Sequence, residues 1–155
     1  MSDRHAVVTG HAAWSGRAAP PPGIMFAREE GRLDVDAFID VIRRSGLNRP
    51  IDDRARMATV LRNSNLVVTA RTADGALVGV ARSVTDFAYC CYLSDLCVDQ
   101  AWQRRGIGVA LIGETKRVIG DAAMLLLLSA PAAMAYYPRI GMEVVANGFT
   151  IRRDR

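Results

Sequence analysis

Residues 93–112 read LSDLCVDQAWQRRGIGVALI, and the pattern of this stretch is the strongest indication of the fold. The largely apolar run over residues 89–98 predicts a long strand, and residues 107–119 have the three- and four-residue apolar spacing of a helix. Between them, Gly106 and Gly108 let a ligand approach the backbone closely. Because the first turn of a helix has free N–H groups and a partial positive charge, the sequence predicts an anion site here.

The formal charges of Arg104 and Arg105 next to this turn favour a phosphate-bearing ligand. A dinucleotide fingerprint needs a third glycine where this chain has Leu111, and a P-loop needs Gly-Lys-Ser/Thr at its end, which is absent from the sequence. Taken alone, a Gly-x-Gly pair also fits a purely structural turn. By itself the motif thus leaves open a phosphate site and a structural turn, and it matches neither of the two nucleotide-binding patterns.

Outward from this stretch, apolar periodicity and turn residues predict a mixed sheet with helices on its faces, an α+β (α/β three-layer) single domain. Asp74-Gly75 and Asn147-Gly148 are hairpin signals, and the wholly apolar residues 124–128 are expected to form a strand buried on both faces. About six to seven strands are expected at residues 24–27, 66–72, 77–84, 89–98, 124–128, 142–145 and 149–152, and about four helices at 34–44, 52–62, 107–119 and 131–137.

The first 23 residues are rich in Ala, Gly and Pro and end in Pro20-Pro21-Pro22-Gly23, which predicts an N-terminal arm (1–23) before the domain (24–155). The chain has 155 residues, enough for one core, and its net charge of +4 is scattered, unlike a nucleic-acid-binding tail. No run of eighteen apolar residues occurs, so a cytoplasmic protein is expected.

The three cysteines, Cys90, Cys91 and Cys97, lie in one apolar run. An odd number within one element predicts buried free thiols in a reducing compartment instead of a disulfide framework. No second Cys/His cluster accompanies them, so no metal site is expected. The two histidines, His5 and His11, both lie in the arm, so Cys97 has no histidine in the domain to activate it as a nucleophile.

Two segments of the chain resemble the GNAT superfamily of N-acetyltransferases. The first is Leu96-Cys97-Val98 followed by Gln103-Arg104-Arg105-Gly106-Ile107-Gly108, which is similar to the acetyl-CoA motif Gln/Arg-x-x-Gly-x-Gly/Ala after a strand ending in Leu-x-Val. The second, residues 133–142 (AMAYYPRIGM), is similar to the family's Ala-x-x-Phe-Tyr-x-x-x-Gly-Phe segment. The resemblance covers roughly residues 24–152.

The resemblance implies a sheet that splays between its fourth and fifth strands and a cosubstrate, acetyl-CoA, whose pantetheine arm lies in that gap. It implies direct transfer of the acetyl group to a primary amine of a small molecule or peptide, with no acyl-enzyme. A backbone N–H of the fourth strand would polarise the thioester carbonyl. The implied cofactor-binding residues are Leu96, Cys97, Val98, Gln103, Arg104, Arg105, Gly106, Ile107, Gly108 and Val109.

Tyr137 matches the family's general acid, since a phenol with an ordinary pKa of about 10 is protonated at neutral pH. Tyr136 is expected in the core. Asp95 is named as the general base because it is the carboxylate on the fourth strand, although a buried structural aspartate bound to backbone or arginine explains it equally well, and Asp86 is the second candidate. By simple alternation Tyr92 and Ser94, the predicted acceptor-site residues, share a face with Leu96, and Asp95 faces the other way unless a bulge intervenes.

Two departures from the family pattern are Ala130, where an asparagine often contacts pantetheine, and Met142, which replaces a phenylalanine. The alternatives to an acetyltransferase that acts on a small molecule or peptide are a non-catalytic CoA-binding regulatory or sensor module and an acetyltransferase directed to RNA or to an aminoacyl group. Arg43, Arg44 and Arg49 lie near the loop between the first two predicted helices, where the family binds its acceptor, and they hint at an acidic group on the substrate. A homodimer is expected because the superfamily often forms one.

Overall fold

The computed structural model describes residues 14, 16 and 19–154, which fall into two units, one within residues 17–129 and one within residues 1–16 and 130–155. The first unit confirms the predicted order of helices and strands up to the fifth strand. Its elements are β1 (Ile24–Arg28), α1 (Val35–Ser45), α2 (Arg54–Arg62), β2 (Leu66–Thr72), β3 (Leu77–Thr85), β4 (Cys90–Val98), a 3₁₀ turn (Gln100–Trp102), α3 (Ile107–Ile119) and β5 (Met124–Leu126).

The five strands form one sheet in the order β1-β2-β3-β4-β5. The first four strands are antiparallel, and β5 runs parallel to β4. Their pairing extends from Cys90↔Met124 to Tyr92↔Leu126, so within the described residues the remainder of β4 has no strand on that side. This confirms the predicted mixed, largely antiparallel sheet that opens between its fourth and fifth strands.

Helices α1 and α2 cover one face of the sheet. Helix α1 begins where the Asp34 side chain accepts a hydrogen bond from the Ala37 N–H (3.0 Å), and it ends at Gly46, whose φ of 78° is the left-handed conformation predicted for this glycine. The buried cluster on this face joins the two helices to β2, β3 and β4 through residues including Phe38, Ile42, Met57, Val67, Val80 and Cys97.

Helix α3 covers the opposite face of the sheet. Gly79 is the neighbour of Val80 on β3 and therefore points to the other side. A Cβ at Gly79 would lie 3.0 Å from Leu111 Cδ1 and 3.3 Å from Ile107 Cγ2, both on α3. The glycine thus lets the first turns of α3 pack directly against the backbone of the sheet.

The predicted burial of the fifth strand on both faces is wrong. Strand β5 spans three residues where five were expected, and Met124 is 56% exposed. A strand is buried on both faces only where other elements cover both. Among the described residues, β5 pairs with β4 alone and is therefore the edge strand of the sheet. Its apolar composition does not make it a central strand.

The second unit contains a 3₁₀ turn (Pro131–Ala133) and helix α4 (Tyr136–Arg139) where one short helix was predicted. The last two predicted strands, 142–145 and 149–152, are not formed, so the sheet has five strands instead of six to seven. Neither Asn147 nor Gly148 has the positive φ that a type I′ turn requires. Phe149 and Ile151 are almost fully exposed, so pairing them would bury no apolar face.

Two residues of the predicted arm, Trp14 and Gly16, belong to this second unit, and the Trp14 indole N–H donates to the Ile140 carbonyl at 2.8 Å. Arm residues 1–13, 15, 17 and 18, with both histidines, lie outside the described residues. No helix in the described part of the chain is long and apolar enough to cross a membrane.

Candidate functional site

The connection from β4 to α3 is a tight turn with two left-handed residues. Asp99 starts it by accepting a hydrogen bond from the Ala101 N–H (2.9 Å). Arg104 has a φ of 61° and Gly106 a φ of 82°. Left-handed residues at alternate positions turn successive N–H groups toward one concave side, which is the backbone arrangement that binds anions.

Helix α3 begins at Ile107 with Gly106 as its N-cap, and no side chain among the described residues caps it. The N–H groups of its first turn, at Ile107, Gly108 and Val109, therefore face outward from the end of a 13-residue helix. A Cβ at Gly106 would meet no described heavy atom within 4 Å, so the space over the turn is open. Free N–H groups at the start of a helix are a suitable environment for an anion such as a phosphate group.

Two predicted cofactor-binding side chains hold the turn itself. The Gln103 side-chain amide donates to the Val98 carbonyl (2.9 Å) and the Ser45 carbonyl (3.3 Å), which ties the turn to β4 and to the end of α1. The Arg105 guanidinium lies 4.7 Å from the centre of the Trp102 ring and donates to the Ala101 carbonyl at 3.2 Å. A stacked guanidinium keeps its charge while its rotamer is restricted.

Strand β4 contains a β-bulge at Ser94. Leu93 pairs with Ser83 and Asp95 with Arg82, so Ser94 is the extra residue of the ladder. Tyr92 lies opposite Val84, two residues from Arg82, which places Tyr92 and Asp95 on the same face, the one covered by α1 and α2. Asp95 and Leu96 lie on opposite faces, as simple alternation predicts, whereas Tyr92 does not share the face of Leu96, because the bulge that the prediction allowed for shifts the phase between Tyr92 and Asp95.

Asp95 is the centre of a buried ion-pair network. Its side chain is 1% exposed, and its two oxygens accept hydrogen bonds from Arg49 Nε and Arg82 Nε, each at 2.5 Å. Arg82 also donates to Ser64 Oγ (2.9 Å). Arg49 reaches Asp95 from the loop between α1 and α2, and its Nη2 donates to the Ser94 carbonyl at 2.8 Å.

Asp86, the second candidate base, organises the β3–β4 hairpin. Its Oδ1 accepts hydrogen bonds from the N–H groups of Ala88 (2.9 Å), Tyr89 (2.7 Å) and Cys90 (3.0 Å). These bonds stabilise the carboxylate form and hold the pKa of Asp86 well below its usual range. A carboxylate held in this way is a weak proton acceptor at neutral pH.

The three cysteines are free, as predicted. Cys91 and Cys97 are buried, whereas Cys90 is exposed, so the prediction of burial is wrong for Cys90, which is the first residue of β4. Burial raises the pKa of the Cys97 thiol to about 12. A neutral thiol is a poor nucleophile, which fits the prediction that Cys97 does not attack the thioester.

Tyr137 lies in the second unit, on α4, in an edge-to-face contact with Tyr136 (5.2 Å between ring centres). Partial burial and the neighbouring Tyr136 raise the pKa of Tyr137, so its phenol is protonated at neutral pH. Tyr136 is 38% exposed and does not belong to the core, contrary to the prediction. A helix of four residues can bury at most one of its sides, so Tyr136 stays partly exposed.

The arginines expected near the acceptor are engaged within the chain. Arg43 pairs with Asp40 at 3.6 Å. Arg44 contacts Asp40 and Asp99 and donates to the Leu77 carbonyl. With Arg49 bound to Asp95, none of the three supports the hint of an acidic group on the substrate. Apart from Asp40, the ion-pair partners of these arginines are distant in sequence, so the periodicity of the sequence did not indicate these ion pairs.

The sequence matches the family model of the Acetyltransferase (GNAT) domain over residues 31–151. A curated relative, "Probable acetyltransferase TAP2" of Glycine max, is 27% identical over 130 residues, which cover 76% of this chain and 51% of that protein. The chain thus spans about half the length of the curated relatives it matches.

Two solved structures show the same fold. The GNAT family acetyltransferase SP0256 of Streptococcus pneumoniae TIGR4 has a TM-score of 0.65 at 22% identity, covering 84% of this chain and 99% of that one. The aminoglycoside N-acetyltransferase AAC(6')-Iy in complex with CoA has a TM-score of 0.63 at 16% identity, covering 85% and 95%. The chain belongs to the GNAT acetyltransferase family, which uses acetyl-CoA.

Proposed function

We propose that this protein transfers an acetyl group from acetyl-CoA directly to a primary amine of a small molecule or peptide. The observation that carries the proposal is the pairing of an uncapped helix start with an open strand edge. The amides of the first turn of α3 suit a pyrophosphate, and Gln103 bonds the turn to Val98 at the end of that edge.

The open edge of β4 suits the pantetheine arm. After Tyr92 the backbone N–H and C=O groups on the β5 side of β4 have no strand partner within the described residues. Unpaired groups of a strand edge bind an extended amide chain as an additional strand would. Acetyl-CoA, when bound, supplies the activated acetyl group, and a β4 N–H in the Leu96–Val98 segment would donate a hydrogen bond to the thioester oxygen.

Tyr137 is the proposed general acid. Its raised pKa keeps the phenolic proton in place at neutral pH, so it is available for the departing thiolate. Tyr136 is its neighbour in the same short helix and carries the same group. The adjacent pair therefore offers a matched comparison between a proposed catalytic phenol and one that has no assigned role.

The general base remains a prediction. Asp95 is the residue named for it, and its contacts with two guanidiniums support the structural alternative instead. Asp95→Asn separates the two roles. Loss of a general base removes the acidic limb of the rate profile in a folded variant, because that limb reports protonation of the base. Loss of a counter-ion instead unfolds the protein, because it leaves Arg82 buried without its partner.

The sheet face around Tyr92 supports an acceptor with an apolar body. Val84 lies opposite Tyr92, and Met124 lies opposite Cys90 on the same face, and all four side chains are exposed. The nearby Asp95 is neutralised by two arginines. An aromatic or aliphatic primary amine is thus a better fit than a polycation such as an aminoglycoside.

The proposal is tested with a library of amines, including tryptamine, benzylamine, an aminoglycoside and short peptides, assayed for release of free CoA. Binding of CoA is measured separately by calorimetry. Gly108→Trp should abolish binding, because an indole would fill the space over the helix start. Arg117→Trp, on the exposed surface at the end of the same helix, is the control.

Wild-type affinity in Gly108→Trp would show that the pyrophosphate does not bind at this turn. Tight binding of CoA by the wild type without turnover of any amine would favour the non-catalytic module over the transferase.

A further inference from the structure

The α1–α2 loop is fastened to the middle of β4 by one side chain, Arg49. Its Nε binds Asp95 Oδ1 at 2.5 Å, its Nη2 binds the Ser94 carbonyl at 2.8 Å, and its Nη1 binds the Asn48 carbonyl of its own loop at 2.7 Å. One guanidinium therefore contacts both residues of the bulge and the loop from which it comes. Its planar fork matches such a set of acceptors.

The bulge creates the need for these bonds. Ser94 is the residue without a partner in the β3–β4 ladder, so its carbonyl depends on a group from outside the sheet. Asp95, in the other half of the bulge, carries a charge at 1% exposure and needs cationic partners. Arg82 supplies one of them from β3 at 9% side-chain exposure, and Arg49, at 33%, supplies the other.

The position of the bulge connects this network to the proposed chemistry. Pairing of β4 with β5 ends at Tyr92, the bulge follows at Ser94, and the open edge continues through Leu96–Val98. A bulge bends its strand and changes the local twist, so it sets the direction of the N–H groups that come after it. The contacts that fix the conformation of the bulge therefore also set the direction of the N–H groups on the open edge.

We propose that Arg49 is a positioning residue for acetyl transfer. By binding the Ser94 carbonyl and the Asp95 carboxylate, it holds the bulge in β4 and thereby orients the N–H groups of Leu96–Val98 toward the thioester. This inference rests on the proposed function. It also assigns Asp95 as the counter-ion of Arg49 and Arg82.

The test compares Arg49→Met with Arg54→Met. Arg54 is the first residue of α2, directly after the same loop, and forms an exposed ion pair with Asp36 that does not involve β4. Hydrogen exchange of the Leu96–Val98 amides, the dissociation constant of CoA, and kcat with the best amine are measured for both variants and for the wild type.

In the Arg49→Met variant the amide hydrogens of Leu96–Val98 should exchange faster with solvent. Its kcat should fall about tenfold to hundredfold, because a small misplacement of reacting groups lowers reaction rates by factors of this order. The loss in kcat should exceed the loss in CoA affinity, since the pyrophosphate turn is a separate element. Arg54→Met should resemble the wild type in all three measurements. Arg49→Lys should be intermediate, because one ammonium pairs with Asp95 without reproducing the fork.

Unchanged hydrogen exchange at Leu96–Val98 in the Arg49→Met variant would refute the proposal that Arg49 holds the bulge, whether or not the wild type turns over an amine. A lower melting temperature with wild-type exchange and kcat would make Arg49 merely structural and would also overturn the inference. If Arg49→Met does not fold, Arg49→Lys decides, and wild-type exchange and kcat in that variant count against the proposal. Absence of turnover in the wild type refutes the proposed function and leaves the exchange result to be judged by itself.

Discussion

Replacing Gly79 by alanine probes the packing that places the start of α3 on the sheet. The new Cβ would lie 3.0 Å from Leu111 Cδ1, 3.3 Å from Ile107 Cγ2 and 3.3 Å from the Cys97 carbonyl oxygen. Favourable carbon–carbon contacts lie at about 3.5–4.0 Å, so the Leu111 and Ile107 carbons are too close, and the carbonyl oxygen is also nearer than most neighbours of a Cβ atom. Leu111 and Ile107 are almost fully buried, and the carbonyl belongs to the β3–β4 ladder, so none of them moves freely.

The expected change in the free energy of unfolding is the balance of two opposing contributions. Gly→Ala stabilises a protein by about 0.4–1 kcal/mol where the backbone accepts it, because the unfolded chain loses freedom. Overpacking of a filled core costs about 1–3 kcal/mol, and here it outweighs that gain because a backbone atom is among the contacts. We expect a net destabilisation of about 1–2 kcal/mol, which for a chain of this size lowers the melting temperature by about 2–8 °C.

The assay is thermal unfolding together with calorimetric titration of CoA. Because Ile107 opens α3, the variant should also bind CoA more weakly than the wild type. Gly148→Ala is the control, since its Cβ would make an ordinary contact of 3.9 Å with Val145. A Gly79→Ala protein with wild-type stability and affinity would show that close packing at this glycine does not position the turn before α3.

Three further outcomes are expected. Tyr137→Phe should lower kcat about a hundredfold with little change in CoA affinity, whereas Tyr136→Phe should stay near wild type; equal rates in both would remove the assigned acid. The Arg71 guanidinium donates to both oxygens of Glu29 (2.8 and 2.9 Å) and lowers the pKa of this carboxyl in the folded protein. Glu29→Gln should therefore be less stable than wild type above pH 4.5, and the difference should vanish as the pH falls through the lowered pKa; a difference independent of pH would contradict this. Iodoacetamide should label Cys90 in the native protein and Cys97 only after unfolding, as mass spectrometry would show.

Much of the first unit was predictable because its signals are local. Residues 66–72 and 107–119 were predicted with the bounds that β2 and α3 have, since apolar periodicity and the flanking turn residues are contained within each segment. The turn at Gly106 was predictable for the same reason, because a left-handed glycine at a helix start depends on neighbouring residues alone.

The errors share a different cause. Residues 142–145 and 149–152 have strand-like sequences and form no strand, because a strand needs a partner and a covered face that its own residues do not supply. Likewise, the five apolar residues 124–128 indicated a central strand, whereas coverage by other elements decides burial, and Met124 is exposed.

The amino-acid sequence by itself determined the order of the elements from β1 to β5, the place of the glycine-containing turn before α3 and the family resemblance, because these depend on residues close together in the chain. The tertiary structure decided the face of Asp95. A bulge at Ser94, which simple alternation does not show, turns the carboxylate toward Arg82 and Arg49, the latter 46 residues away. Ion pairs across such a distance follow from how the elements pack, and the residue first named as a base becomes the centre of a buried salt-bridge network.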